Sequence, residues 1–177
     1  GDGWILPKTA EGRPEGRFVF SKFPNMDQYG ALRSNLVTHP YYSGQIYVGS
    51  ENSIWISTDF GKSFDLLYTF PGRVRYINIS TSNPERMYAD IVGTGFMRSD
   101  DGGKTWRKPA NTNAPAWNGQ IAFAISPYNE NVIYASHQIG SWDSFNSEMY
   151  RSTDGGMSWT QWSSLGRSIK SIVIQPT

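Results

Sequence analysis

Short runs of alternating apolar and polar residues recur along this chain, separated by clusters of Gly, Pro, Asn, Asp and Ser, which is the pattern of half-buried strands joined by turns. Asn35 to Thr38, Gln45 to Val48, Ser53 to Ile56 and Phe64 to Tyr68 form a first set of expected strands. Val74 to Ile79, Met87 to Asp90, Gly95 to Arg98 and Thr105 to Arg107 form a second. A third contains Ile121 to Ile125, Val132 to Ala135 and Met149 to Arg151, and Ser171 to Gln175 opens a fourth. Apolar residues spaced for a helix face are nowhere sustained, so the chain is predicted to be all-β.

One octapeptide punctuates these sets at the same place each time. It reads Ser57-Thr58-Asp59-Phe60-Gly61-Lys62-Ser63-Phe64, Ser99-Asp100-Asp101-Gly102-Gly103-Lys104-Thr105-Trp106 and Ser152-Thr153-Asp154-Gly155-Gly156-Met157-Ser158-Trp159. Ser and Asp are short acceptors that hold a turn by bonding nearby backbone N–H groups. Gly61, Gly103 and Gly156 supply a backbone angle costly to other residues, and Phe64, Trp106 or Trp159 then leads a strand and pins the turn to a core. Ser57, Asp59, Gly61 and Phe64 are therefore read as structural, as are Ser99, Asp101, Gly103 and Trp106, and Ser152, Asp154, Gly156 and Trp159.

A marker tyrosine, Tyr47, Tyr88 and Tyr134, returns with the octapeptide at intervals of about 40 to 50 residues, the period of a four-stranded propeller blade. Pro40, Pro84, Pro127 and Pro176 all fall at one turn of the unit rather than inside a strand. The predicted fold is a β-propeller of four-stranded antiparallel blades, three complete and one partial. Residues 1–30 read as an irregular arm with a short strand at Arg17 to Phe20, followed by blades at about 31–72, 73–118 and 119–166 and a partial blade at 167–177. Three blades do not close a ring, so the remaining blades are expected from a longer chain or from another copy. With unpaired edges the 177 residues are not expected to behave as a well-packed monomer.

Charge adds exclusions. Sixteen basic and 15 acidic residues give a net charge of +1 without blocks of either sign, so no footprint for nucleic acid or an anionic membrane is present. There is no cysteine, and hence no disulfide framework or thiolate site. No apolar run suffices for membrane insertion, and Gly1-Asp2-Gly3-Trp4 is not the start of a signal peptide; an export signal is expected outside this numbering. His39 and His137 lie in different units, so no metal or other cofactor is expected.

The octapeptides resemble the Asp-box, or BNR, repeat of sialidases, xyloglucan-degrading glycoside hydrolases, sortilin-type receptors and photosystem assembly factors. Asn83-Pro84-Glu85-Arg86-Met87-Tyr88-Ala89 and Glu148-Met149-Tyr150-Arg151-Ser152-Thr153-Asp154-Gly155-Gly156 are most similar to the xyloglucanase and sortilin branch. The resemblance implies that each box joins the third and fourth strands of its blade, on the face away from the binding site. It also implies a secreted or cell-surface setting, as for many exported bacterial proteins.

On the opposite face the chain offers Glu51, Asp90 and Asp143 as acids, and glycoside hydrolysis needs two carboxyl groups on one cleft. By the resemblance, Glu51 stands where a xyloglucanase carries a catalytic Asp after the second strand, though as Glu and without the paired glycines. The segment from Tyr134 to Ser152 is longer than its counterparts and reads as an enlarged loop, Ser136 to Ser147. It brings His137, Trp142 and Asp143, and the blade connection adds Trp117 and Asn118; exposed Trp stacks on sugars or fills partner pockets. The expected function is non-catalytic binding of glycan or protein, with a xyloglucanase-like hydrolase as the alternative.

Overall fold

The computed structural model describes residues 35–110, 121–140, 146–167, 169 and 171–175. The arm at 1–30, Trp117, Asn118, Trp142 and Asp143 lie outside the described residues. Among the described residues are eleven strands: β1 (Asn35–Thr38), β2 (Ile46–Ser50), β3 (Ser53–Ser57), β4 (Asp65–Thr69), β5 (Val74–Ile79), β6 (Met87–Ile91), β7 (Gly95–Ser99), β8 (Ile121–Ser126), β9 (Asn129–Ile139), β10 (Asn146–Ser152) and β11 (Thr160–Leu165). They form three antiparallel sheets in sequential order, β1-β2-β3-β4, β5-β6-β7 and β8-β9-β10-β11. Each sheet is one up-and-down blade.

Three expectations are corrected. Thr105 to Arg107 does not form a full strand; Arg98 and Arg107 make an isolated bridge instead, so the second sheet has three strands among the described residues. Ser171 to Gln175 carries no ladder, although half-buried and exposed residues alternate along it. Half of the enlarged loop is strand: β9 runs on to Ile139 and β10 starts at Asn146, with Gln138 opposite Ser147 and His137 opposite Glu148. Polar side chains at these positions read as loop in the sequence, but an antiparallel pair needs only backbone groups to extend its ladder.

The blades stack through two apolar layers. Tyr47, Ile54 and Phe70 of the first blade meet Val74, Ile77, Met87, Ala89, Ile91, Met97 and Trp106 of the second. Tyr88 and Phe96 of the second meet Phe123, Ile133, Ala135, Tyr150 and Trp159 of the third. Strand β6 is buried along its whole length because alternate residues point into the two layers, Met87, Ala89 and Ile91 into one and Tyr88 into the other. At about 1.5–3 kcal/mol per large side chain buried, these layers are the main source of cohesion between blades.

Candidate functional site

Both ends of the sheets are built by local chemistry. At one end each box folds identically. Ser57 Oγ donates to Asp59 Oδ1 (2.8 Å) and accepts from Gly61 N (2.8 Å), while Asp59 takes the N–H and hydroxyl of Ser63 (2.9 and 2.6 Å). Ser99, Asp101, Gly103 and Thr105 repeat these bonds, as do Ser152, Asp154, Gly156 and Ser158. The Ser63 bonds, with those of Ser57 and Lys62, pull the Asp59 carboxyl down to about 2. At Asp101 burial opposes the shift, yet the hydrogen bonds from Thr105, Ser99 and Lys104 outweigh it and hold the carboxyl below the usual range. The recurring Ser, Asp and Ser/Thr side chains of each box are thus spent on the turn itself.

The box aromatics reach the preceding blade. Trp106 lies 5.3 Å from Phe70 and Trp159 lies 5.3 Å from Phe96, both edge to face, while each indole N–H bonds its own box carbonyl at Gly103 or Gly156.

The other end carries the β2–β3, β6–β7 and β9–β10 connections and the passage from β4 to β5. Glu51 is exposed in the β2–β3 turn with φ at 50°, a left-handed conformation costly for a side chain. Its carbonyl accepts Val74 N (2.7 Å), and Asn52 brackets Phe70 through Phe70 N to Asn52 O (2.7 Å) and Asn52 Nδ2 to Phe70 O (3.2 Å). The turn therefore clamps the passage between two blades, and the Glu51 carboxylate stands outside it.

Asp90 lies in β6 and is fully buried. Arg75 pairs with it: Nη2 donates to Oδ1 at 3.0 Å, and Nε stands 2.9 Å from Oδ2 as an ion-pair contact. A carboxylate buried and ion-paired in this way is not open to solvent.

His137 sits on β9 opposite Glu148, on the face that carries Ala135 and Tyr150 toward the second blade. Burial holds its imidazole below the ordinary 6.5; the Glu148 carboxylate pulls the other way and the Arg75 guanidinium adds to the lowering, so the ring is neutral at pH 7. Tyr150 donates to Glu148 Oε2 (2.6 Å), and burial with that carboxylate raises its phenol to about 12. Arg75 and Asp90 of the second blade and His137, Glu148 and Tyr150 of the third are thus two polar groups on the facing sides of neighbouring blades, near enough for the Arg75 charge to act on His137. Glu148 and Arg75 are half-buried and the other three buried. Sequence reasoning missed the parts of Glu148 and Tyr150; extending the β9–β10 register by two residues places Glu148 opposite His137. Among the described residues no group of three or more His, Asp or Glu gathers as metal ligands do.

The BNR/Asp-box repeat family matches residues 97–108 and 150–161. A xyloglucanase of Paenibacillus sp is 28% identical over 166 residues, covering 90% of this chain and 12% of that enzyme; the chain therefore spans about an eighth of this relative. An ancestral GH74 enzyme of known structure matches with a TM-score of 0.53 at 20% identity, over 80% of this chain and 18% of its own. YCF48 from Cyanidioschyzon merolae matches with 0.54 at 16% identity, over 75% and 38%. At these identities the structural likenesses bear on fold. The chain carries Asp-box repeats, its sheets are β-propeller blades, and its relatives fit the xyloglucanase-type branch.

Proposed function

We propose that this chain is a stretch of an exported propeller that binds glycan without hydrolysing it, at the end opposite the boxes. The observation that carries this reading is Asp90: the acid that the second blade directs toward that end is buried and spent on Arg75, whereas hydrolysis needs two acids open to one cleft. The lengthened β9–β10 hairpin supplies the contrasting feature, its ladder running as far as Ile139 and Asn146. Trp142 and Asp143 with Trp117 and Asn118 are the proposed binding residues, His137 being buried against the second blade, and the similarity to a xyloglucanase supports xyloglucan as the ligand.

The test is affinity electrophoresis of the chain through gels containing xyloglucan or mixed-linkage β-glucan, with reducing-sugar release measured in parallel. Retardation without release, lost in Trp142→Ala or Trp117→Ala, is the expected result. The 28% identity to a xyloglucanase supports the second reading, a glycoside hydrolase using Glu51 or Asp143. Sugar release abolished by Glu51→Gln or Asp143→Asn would establish that reading instead.

A further inference from the structure

The outward face of the third blade holds a cavity of about 240 Å³ lined by Arg151, Thr153, Ser158, Thr160, Gln161 and Trp162. Trp162 is 66% exposed and stands edge-on to Tyr134 at 5.8 Å, and the Arg151 guanidinium lies 5.8 Å over the same Tyr134 ring. An exposed indole and a guanidinium on one face call for an occupant.

The repeat itself identifies that occupant. Tyr134 and Arg151 are a cross-strand pair, as Tyr88 and Arg98 are in the second blade. There both reach into the next blade: Tyr88 OH donates to Glu130 O (3.0 Å), and Arg98 Nη1 donates to Gly155 O in the next box (3.1 Å). Trp162 follows its box aromatic at the distance at which Leu67 follows Phe64, and Leu67 packs on the next box, its Cδ2 lying 2.9 Å from where a Cβ on Gly103 would be. Each of the three residues of the outward face thus has a counterpart, Tyr88, Arg98 or Leu67, that touches the following blade.

We infer that this face is a socket for a further Asp-box blade, and that Arg151 selects a blade whose box has glycine directly after the Asp. The inference rests on the reading that the ring is completed by blades beyond these three, and it is independent of glycan binding. Its chemistry is that of Gly155, with φ at 72°: a Cβ there would sit 2.5 Å from Arg98 Nη1 and 2.9 Å from Arg86 Nη1. A guanidinium can swing aside, but doing so forfeits its bond to the box carbonyl, and Arg98 is buried where water cannot replace that bond. In the first box the same slot holds Phe60, at φ 63° and 69% exposed. A second copy offering its first blade therefore brings a side chain to the place where Arg151 needs a bare carbonyl.

Two experiments test this. The full chain is extended with a second copy of residues 119–166, either unchanged or with Phe replacing the duplicate of Gly155, and hydroxyl-radical labelling of Trp162 and Tyr134 is read by mass spectrometry. Several-fold slower labelling with the glycine-bearing extension, and none of that protection with the phenylalanine-bearing one, is expected. Equal protection by both would overturn the selection rule, and protection of Trp162 by xyloglucan in the unextended chain would overturn the socket in favour of a ligand site. Because an added blade can fail to fold, Phe60→Gly in the unextended chain is the second variant. It gives the first blade a glycine-bearing box, so sedimentation velocity should show self-association above that of the parent, removed by Arg151→Ala. No change between parent and Phe60→Gly, together with unprotected Trp162 in the extended chain, sinks the inference.

Discussion

Trp159 of the third blade stands at 89° to Phe96 of the second with ring centroids 5.3 Å apart, so the turn that closes one blade is wedged into the sheet before it. The glycine in that turn is part of the contact: a Cβ on Gly156 would lie 2.6 Å from Phe96 Cε1, and its φ is 85°. The box is a local knot whose glycine and aromatic ring couple neighbouring blades.

Phe96→Ala should destabilise the chain by about 3–5 kcal/mol, since a fully buried ring is removed from the layer it shares with Tyr88, Phe123 and Trp159. Gly156→Ala should cost at least about 1 kcal/mol through backbone strain alone, and more through the collision with Phe96. Urea unfolding midpoints measure both; a neutral Gly156→Ala would show that the wedge is loose.

Asp154→Ala should cost about 1–3 kcal/mol, because Ser152, Ser158 and Met157 lose their shared acceptor. The same carboxylates set the acid limit. The folded-state value of Asp59 is depressed to about 2 from 3.8, so its stabilising effect is complete above the unfolded value and is lost as pH falls toward 2. Acid titration of near-ultraviolet circular dichroism should place the transition in that window, and Asp59→Asn should flatten its share.

His137 works at milder pH. Its imidazole is held below the ordinary 6.5, so on acidification the unfolded chain takes up the proton first and stability declines as pH falls through 6.5. Unfolding midpoints at pH values on either side of 6.5 should differ in the native chain and differ less in His137→Gln, which leaves Glu148 and Arg75 in place.

Removing one member of the Arg75–Asp90 pair strands the other. Asp90→Ala should cost about 3 kcal/mol, at the low end for broken buried pairs because Arg75 is 20% exposed and water relieves part of the loss. Thermal unfolding of Asp90→Ala and of the Arg75→Met/Asp90→Leu double variant separates the stranded charge from the pair; the double should recover much of the loss.

Glu51→Gly should stabilise the chain by about 0.5–1 kcal/mol, since φ at 50° suits glycine and the backbone bond to Val74 is kept. Under the binding reading, glycan affinity is unchanged in this variant. A loss of sugar turnover would mark Glu51 as chemical rather than structural.

The strands and boxes were legible in the chain because their causes are local: Ser, Asp and Gly satisfy one turn within eight residues, and alternation such as that of Val74 to Ile79 needs only one neighbouring strand to be realised. The site was less legible. Asp90 reads as an acid near a loop, yet its burial and its bond to Arg75 depend on a sheet bulge between Val74 and Tyr76 and on the third blade covering that face. His137 reads as a loop residue because no strand alternation runs through Ser136 to Ser147 to announce a ladder, and its partner Glu148 is chosen by register. Sequence alone determined the repeating knot and the strand grammar, both set by contacts between near neighbours. Tertiary structure decided which face of each blade is buried and which acid is spent, because burial and charge pairing depend on side chains that the chain brings together only when one sheet closes over the next.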